Sequence, residues 1–424
     1  METIKITGEE INEQQIKENL YSWLRSYPVP LRKVLLLPPD ITRAHSMAGL
    51  ITRLIYEFLA PDCQVDIMPA LGTHLPMSTD EKRKMFGPDI PLDCFHVHDW
   101  RNDIVKIGQI PGAYVAEVSG NRLDFAIDVE INRRLLDKSY DLVLSIGQVV
   151  PHEVVGMANY SKNTLVGCGG KEIIDKSHFL GAVCGMEALM GRDHTPVRKV
   201  FDYAETHFLK DIPLAYILTV TTTKEEKTKL NGLFIGRERQ IFEAAVAESQ
   251  KRNLDLLDEP LKKVIVYLDP NEFKSTWVGN KAIYRTRMAM ADEGDLYIIA
   301  PGLRQFGEDK VFDQLIRKYG YIGTPRILEL VQTEADLQNN LSAAAHLIHG
   351  SSEGRFRITY APGHLSKAEI EGVNFNYLPL EEAQERFDYT KLHDGFNRLK
   401  DGEEVFFISN PALGLWALKE NFNR

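Results

Sequence analysis

Three short apolar runs in the first half of the chain end in the same way, and that shared ending constrains the fold more than any other feature. Val34-Leu35-Leu36-Leu37 runs into Pro38-Pro39-Asp40-Ile41-Thr42-Arg43. Val65-Asp66-Ile67-Met68 runs towards Leu71-Gly72-Thr73-His74, and Leu142-Val143-Leu144-Ser145-Ile146 into Gly147-Gln148-Val149-Val150-Pro151-His152. Each is an apolar stretch of strand length that stops at a Gly- or Pro-containing loop carrying polar residues. In an open parallel sheet, ligands bind beyond the carboxyl ends of the strands. Parallel pairing of the three runs therefore predicts that Asp40, Arg43, His74 and His152 converge on one crevice. Ser78-Thr79-Asp80-Glu81 follows as a capping box that opens a helix, which supports a strand–loop–helix unit around His74.

The alternation continues down the chain. Strand-like runs recur at 264–268, 296–300, 356–360 and 405–408, and helical periodicity fits 11–25, 47–58, 238–250 and 335–348. Strands alternating with helices read as an α/β protein. At 424 residues, two or three domains are expected. The charged stretch 224–229 breaks the pattern and reads as a surface loop. A second break at 252–260 follows the helix that begins near Glu238, and the boundary is placed there. The expected domains are 1–255 and 256–424, each a largely parallel sheet flanked by helices.

Charge and cysteine content exclude several classes. Fifty Lys and Arg against sixty Asp and Glu give a net charge of −10. That argues against a nucleic-acid backbone as partner, which needs a basic face. A few Arg or Lys in a cleft would still serve a small acidic substrate. Cys63, Cys94, Cys168 and Cys184 form no CxxC pair, so neither a thiolate zinc site nor a disulfide framework is suggested. The first twenty residues carry charges where a signal peptide needs an apolar core. No apolar run approaches the roughly 18–20 residues of a membrane span. A reducing, cytoplasmic compartment is expected.

The polar loops carry the candidate chemistry. A histidine titrates near neutral pH, so His74 and His152 could exchange protons with opposite faces of one substrate, or merely hydrogen-bond their own loops. Arg43 could grip a carboxylate through two parallel N–H bonds, with Asp40 orienting it or capping a turn. The segment 152–178 holds Gly156, Gly167, Gly169 and Gly170 together with Lys162, Lys171, Lys176 and His178. It is no P-loop, because Glu172 follows Gly170-Lys171 where Ser or Thr is needed. His178 has the chemistry of one transition-metal ligand, though no HxH or HExxH accompanies it. The i,i+3 pair His346 and His349 sits in an Ala-rich helical stretch without a nearby carboxylate, which argues against a metal there.

Taken together, the motifs resemble the nickel-pincer lactate racemase family and its 2-hydroxy-acid racemase and epimerase relatives. Asp40 and Arg43 match that family's D-x-T-R, Gly72-Thr73-His74 its G-T-H, and His152 with Gly156 its H-x-x-x-G. Lys162 falls ten residues after His152, and His178 falls sixteen after Lys162, as the family's lysine and nickel-ligating histidine do. The resemblance spans most of the chain. The family's Y-Q-x-x-K reads Trp277-Val278-Gly279-Asn280-Lys281 here, and its Gly-rich stretch before the lysine reads Ala158-Asn159-Tyr160-Ser161.

The resemblance implies an isomerase whose active site lies in the cleft between a catalytic, cofactor-binding domain and a substrate-covering one. The implied cofactor is a nickel-pincer nucleotide, a pyridinium bisthiocarboxylic acid mononucleotide carrying nickel. His178 would be the metal ligand, and Lys162, Asp40 and Thr42 would hold the cofactor. His74 and His152 would be the acid/base pair; Arg43, Lys281, Trp277 and Arg304 would bind the substrate. Loss of the Tyr and Gln, together with the polar loop 301–309, points away from lactate and towards a sugar acid such as gluconate or mannonate. Two other readings remain open at this point: a zinc or manganese hydrolase built on the same histidines, and a non-catalytic sugar-acid binding protein.

Overall fold

The computed structural model describes residues 3–224, 227–412 and 414–422. The chain resolves into two compact units: Met1–Leu180 with Ala188–Asn253, and Gly181–Glu187 with Leu254–Arg424. The short segment Gly181–Glu187 groups with the second unit, where the Glu187 carboxylate accepts hydrogen bonds from Arg287 and Arg355.

The first unit is built on a six-stranded sheet. Its spatial order is Ile4–Thr7, Lys227–Gly236, Leu214–Lys224, Leu142–Gln148, Lys33–Leu37, Gln64–Ile67. The last four strands are mutually parallel, and the first two add antiparallel pairs at one edge. The register sets Leu37 beside Ser145 and Leu36 beside Ile67, so the three predicted strands end at the same edge. Every residue of Leu142–Gln148 is buried, as expected for a central strand covered on both faces. On one face, Ile16, Leu20, Trp23 and Leu24 of helix Glu13–Arg25 and Ile51, Leu54 and Ile55 of helix Ala48–Leu59 pack with Val34, Leu36, Leu144 and Ile146. Asn12 and Gln15 cap the first of these helices reciprocally, and Ser78 with Glu81 forms the predicted capping box at Thr79–Phe86.

Two expectations require correction. The stretch 224–229 is not a loop throughout: Lys227 pairs with Lys224 and Lys229 with Thr222 in a long hairpin, while 225 and 226 lie outside the described residues. β-branched Thr and Val from 219 to 223 favour the extended backbone, and the lysines sit near the hairpin's tip, where charge is tolerated. The helix expected over 335–348 is two, Ala335–Gln338 and Leu341–His349, broken at Asn339-Asn340. Asparagine competes for backbone hydrogen bonds and ends helices, which the apolar periodicity across the break conceals.

The second unit has its own six-stranded sheet, ordered Asn376–Tyr377, Arg357–Pro362, Met290–Ala300, Leu261–Tyr267, Glu404–Ile408, Gly395–Arg398. All pairs are parallel except the edge strand Gly395–Arg398. Ile265, Ile299, Ala361 and Phe407 bury one face against Ala383 and Phe387 of helix Leu380–Phe387. Both units are thus α/β layers with parallel-rich sheets. No helix among the described residues is long and apolar enough to cross a membrane.

Candidate active site

The loop after Lys33–Leu37 places Asp40 at the start of the tight helix Ile41–Ser46. Its Oδ1 accepts from the backbone N–H of Thr42 at 3.0 Å and from the Thr42 hydroxyl. The other carboxylate oxygen lies 2.6 Å from His74 Nδ1. Asp40 is 4% exposed. Burial alone would push its carboxyl up, but the His74 hydrogen bond and charge, the Thr42 hydroxyl and the Arg43 guanidinium outweigh it and hold the group below the usual carboxylate range. A carboxylate at this distance makes His74 Nδ1 the donor, so that in the neutral imidazole Nε2 carries the lone pair, the orientation an Asp gives a general-base histidine. The His74 loop is anchored in turn. Gly72 has φ +56° and donates its N–H to Gly167 O at 2.9 Å, joining the G-T-H loop to the Gly-rich one.

His152 lies in the two-residue hairpin of Pro151–His152 with Gly156–Met157 and is 6% exposed. Gly156 has φ +87°, and a Cβ there would sit 2.2 Å from Arg192 O, so this position of the motif admits only glycine. Burial drives the His152 imidazole well below its ordinary range. Glu153, 3.8 Å away, pulls the other way, and the charges of Lys162, Arg43 and His178 add to the depression. The ring is neutral at neutral pH, and its Nδ1 accepts the Val154 N–H at 3.1 Å, which leaves the proton on Nε2. The two histidines therefore present one acceptor nitrogen and one donor nitrogen.

Lys162 opens into the same group from helix Ser161–Leu165. Burial, and then the Arg43 charge, lower its amine to about 8, with Glu153 opposing. Its neighbour Asn163 pins that helix to the strand ends, donating to Leu37 O at 3.1 Å and Ser145 Oγ at 2.9 Å. His178 lies on helix Lys171–Cys184. Its Nδ1 donates to Ile174 O at 2.6 Å, so Nε2 keeps its lone pair for a metal. Burial and then the Lys162 charge hold this ring below its ordinary value. Asp40, Arg43, His74, His152, Lys162 and His178 thus form one connected set in the first unit.

Sequence reading missed five contributors. Glu153 adjoins His152 in sequence but belongs to no motif. Asn163 and Arg198 act on the backbone around Lys162 from positions that carry no local signal. His98 and Asn132 support the Gly-rich loop: Asn132 Nδ2 lies 3.0 Å from His98 Nδ1, and His98 Nε2 lies 3.0 Å from Gly169 O.

The expected substrate residues of the second unit fare unevenly. Lys281 is 8% exposed and its ammonium lies 5.6 Å from the Phe273 ring centre. Trp277 already stacks on Phe312 at 4.6 Å and on His346 at 4.5 Å, so its indole is used in packing within the unit. Glu308 accepts from Ser275, and Asp309 caps helix Lys310–Tyr319 through the Phe312 N–H. Arg304 is exposed. His346 Nε2 bonds the Tyr321 hydroxyl at 2.9 Å, a structural contact. Among the described residues, metal-type side chains gather only at Asp193, His194 and Glu243, where Arg239 already bonds Asp193. His74, His152 and His178 do not bring their nitrogens together as one metal's ligands, which removes the geometric basis of the hydrolase reading.

Comparison with known proteins adds to this geometry. The model of the lactate racemase N-terminal domain family matches residues 4–191. A lactate racemase from Lactiplantibacillus plantarum is 27% identical over 210 residues, covering 48% of this chain and 44% of that protein. The match therefore spans less than half the length of that relative. A crystal structure of a Thermotoga maritima protein superposes with a TM-score of 0.84 at 24% identity, over 98% of this chain and all of the other. The lactate racemase apoprotein of Thermoanaerobacterium thermosaccharolyticum gives a TM-score of 0.68 at 17% identity, over 96% and 93% of the two chains. At these identities the structural likeness establishes the fold.

Proposed function

Because residues 4–191 match the model of the lactate racemase N-terminal domain family, we propose that this chain is an isomerase that inverts C2 of a 2-hydroxy acid. The observation that carries this reading is the Asp40–His74 pair, set beside a lysine whose amine is lowered to about 8 and a histidine whose Nδ1 is bonded to Ile174 O. His74 takes the proton of the C2 hydroxyl at Nε2, and Asp40 stabilises the imidazolium that results. His152, neutral and buried, meets the substrate oxygen through Nε2–H on the other face. Arg43 binds the carboxylate.

The C2–H bond is too weak an acid for these groups alone, so the reading calls for the nickel-pincer nucleotide. The donor set fits it. His178 offers one unprotonated nitrogen, Lys162 an amine that is substantially uncharged near pH 8, and Asp40 with Thr42 a buried polar edge. When bound, this group supplies a reversible hydride acceptor. The residues above bind and orient the substrate and move its oxygen-bound proton.

The substrate in this reading is a C5 or C6 aldonate such as gluconate or mannonate. Its support is the absence of the Tyr and Gln beside Lys281 and the exposed Arg304. Trp277, Glu308 and Asp309 no longer count towards it. Four free thiols suit a cytoplasmic setting. The test is appearance of the C2 epimer, read by NMR or chiral chromatography, across a hydroxy-acid panel with nickel-loaded protein. Aldonates should epimerise and lactate should lag. Faster racemisation of lactate or malate than epimerisation of every aldonate would overturn the substrate, and wild-type nickel content in His178→Ala would overturn the metal ligand.

A further inference from the structure

Arg198 is the charged side chain that the proposed mechanism does not use and that the fold buries completely. It sits on helix Pro196–Phe208 with 0% exposure. Its guanidinium donates to three acceptors on one turn: Met157 O at 2.7 Å, Asn159 O at 3.2 Å and Ser161 Oγ at 3.0 Å. It also lies 4.3 Å from the Phe242 ring centre. Burial lowers it to about 10, so it remains charged at neutral pH. Among the described residues no carboxylate reaches ion-pair distance of it. A buried charge without such a partner is costly, and an apolar side chain would pack this helix at less expense. What only Arg198 supplies is the set of bonds to the turn 157–161, which leads directly into Lys162.

That turn holds an unfavourable backbone. Asn159 and Tyr160 both have positive φ, 68° and 57°, a region that residues other than glycine rarely occupy and that persists only when the surroundings impose it. The surroundings do so here. A Cβ on Gly147 would lie 2.3 Å from Asn159 Nδ2, so only glycine admits the amide. The Tyr160 ring packs 4.3 Å from Tyr216 and 5.2 Å from Phe242, and its hydroxyl donates to Arg237 O at 2.9 Å. Arg198 then takes the carbonyls that this backbone turns inward.

We propose that Arg198 is a positioning residue for Lys162: by clamping the strained turn 157–161 it fixes the direction from which the Lys162 amine enters the site. Asn163 fixes the opposite side of the same residue through Leu37 and Ser145. The Arg198 charge is also among those that, after burial and Arg43, keep the Lys162 amine at about 8. The proposal rests on Lys162 being the cofactor's anchor in the functional reading above.

The test begins on apoprotein. Lys162 is acetylated at pH 8 with N-hydroxysuccinimide acetate, and its rate is read by peptide mass spectrometry against exposed Lys310. Arg198→Met should slow Lys162 at least roughly twofold relative to Lys310, because loss of the Arg198 charge raises the amine and leaves less of it uncharged near that pH. Arg198→Lys, which keeps the charge but cannot reach all three acceptors, should recover part of the rate. A purely structural role would lower Tm and leave the Lys162-to-Lys310 ratio where it was, and that result overturns the proposal. Should Arg198→Met not fold, Arg198→Lys is read by the same ratio. In loaded protein, Arg198→Met should speed loss of the nickel nucleotide, yet add nothing in a Lys162→Ala background; additive effects would show that Arg198 acts elsewhere. Failure of the wild-type protein to take up the nucleotide would sink the functional reading, while the labelling ratio still decides the role of Arg198.

Discussion

Single groups in the first unit are held in defined protonation states by their surroundings. Asp40 keeps its charge under burial because His74, Thr42 and Arg43 face it. Asp40→Asn removes the charge that orients His74, and His74→Ala removes the base itself. Both should reduce turnover by about 10²–10⁴-fold with the fold intact, as measured by the rate of C2 inversion at saturating substrate. Buried His152, His178 and His98 all have folded values below their ordinary one. Below about pH 6.5 the unfolded chain binds protons that these buried rings refuse, so their contribution to stability is present above that pH and is lost as pH falls. Urea unfolding from pH 7.5 to 5.5 should show that decline, and His152→Gln should flatten it. An equally steep decline in that variant would mean His152 is not one of the groups responsible.

Elements matter here through how their ends are tied. The helix that presents Lys162 has only five residues, too few to be stable by itself. Asn163 docks it onto two parallel strands, and Gly72 ties the His74 loop to Gly167. Asn163→Ala deletes two partly buried hydrogen bonds, each worth about 0.5–1.5 kcal/mol, so a loss of about 1–3 kcal/mol in unfolding free energy is expected. A loss below a few tenths of a kcal/mol would mean that the helix is held by its apolar side chains alone. The motif spacing was legible in the sequence because strand ends, glycines and polar loops leave local marks. The anchors were not, because Asn163 and Arg198 look like ordinary helix residues until their partners, contributed from distant segments, are known.

At the scale of the molecule, two parallel-rich sheets form two units, and the chain does not pass between them only once. Segment Gly181–Glu187, which begins within the last turn of the helix that carries His178, groups with the second unit. Glu187 serves both Arg287, which is 6% exposed, and Arg355. Glu187 itself is half-exposed, so solvent screens the pair, and Glu187→Ala should lower stability by about 1 kcal/mol. Because the buried Arg287 belongs to the second unit, the loss should appear in the unfolding of that unit, read by the fluorescence of Trp277 and Trp416. An unchanged transition would show that Arg287 is adequately held by Ser351 O alone.

The sequence by itself determined which runs are strands, that three of them end in chemically equipped loops, and the spacing of Asp40, His74, His152, Lys162 and His178. Apolar runs, capping boxes and loop glycines report burial and backbone geometry within a few residues, so a linear reading recovers them. Tertiary structure decided what depends on partners far along the chain. It paired 214–224 with 227–236 as a hairpin where local charge suggested a loop. It committed Trp277 to Phe312 and His346, and Asp309 to a helix cap, where composition suggested a sugar site. It also set which nitrogen of each histidine is free, because that is fixed by the group bonded to the other nitrogen: Asp40, Val154 N–H or Ile174 O.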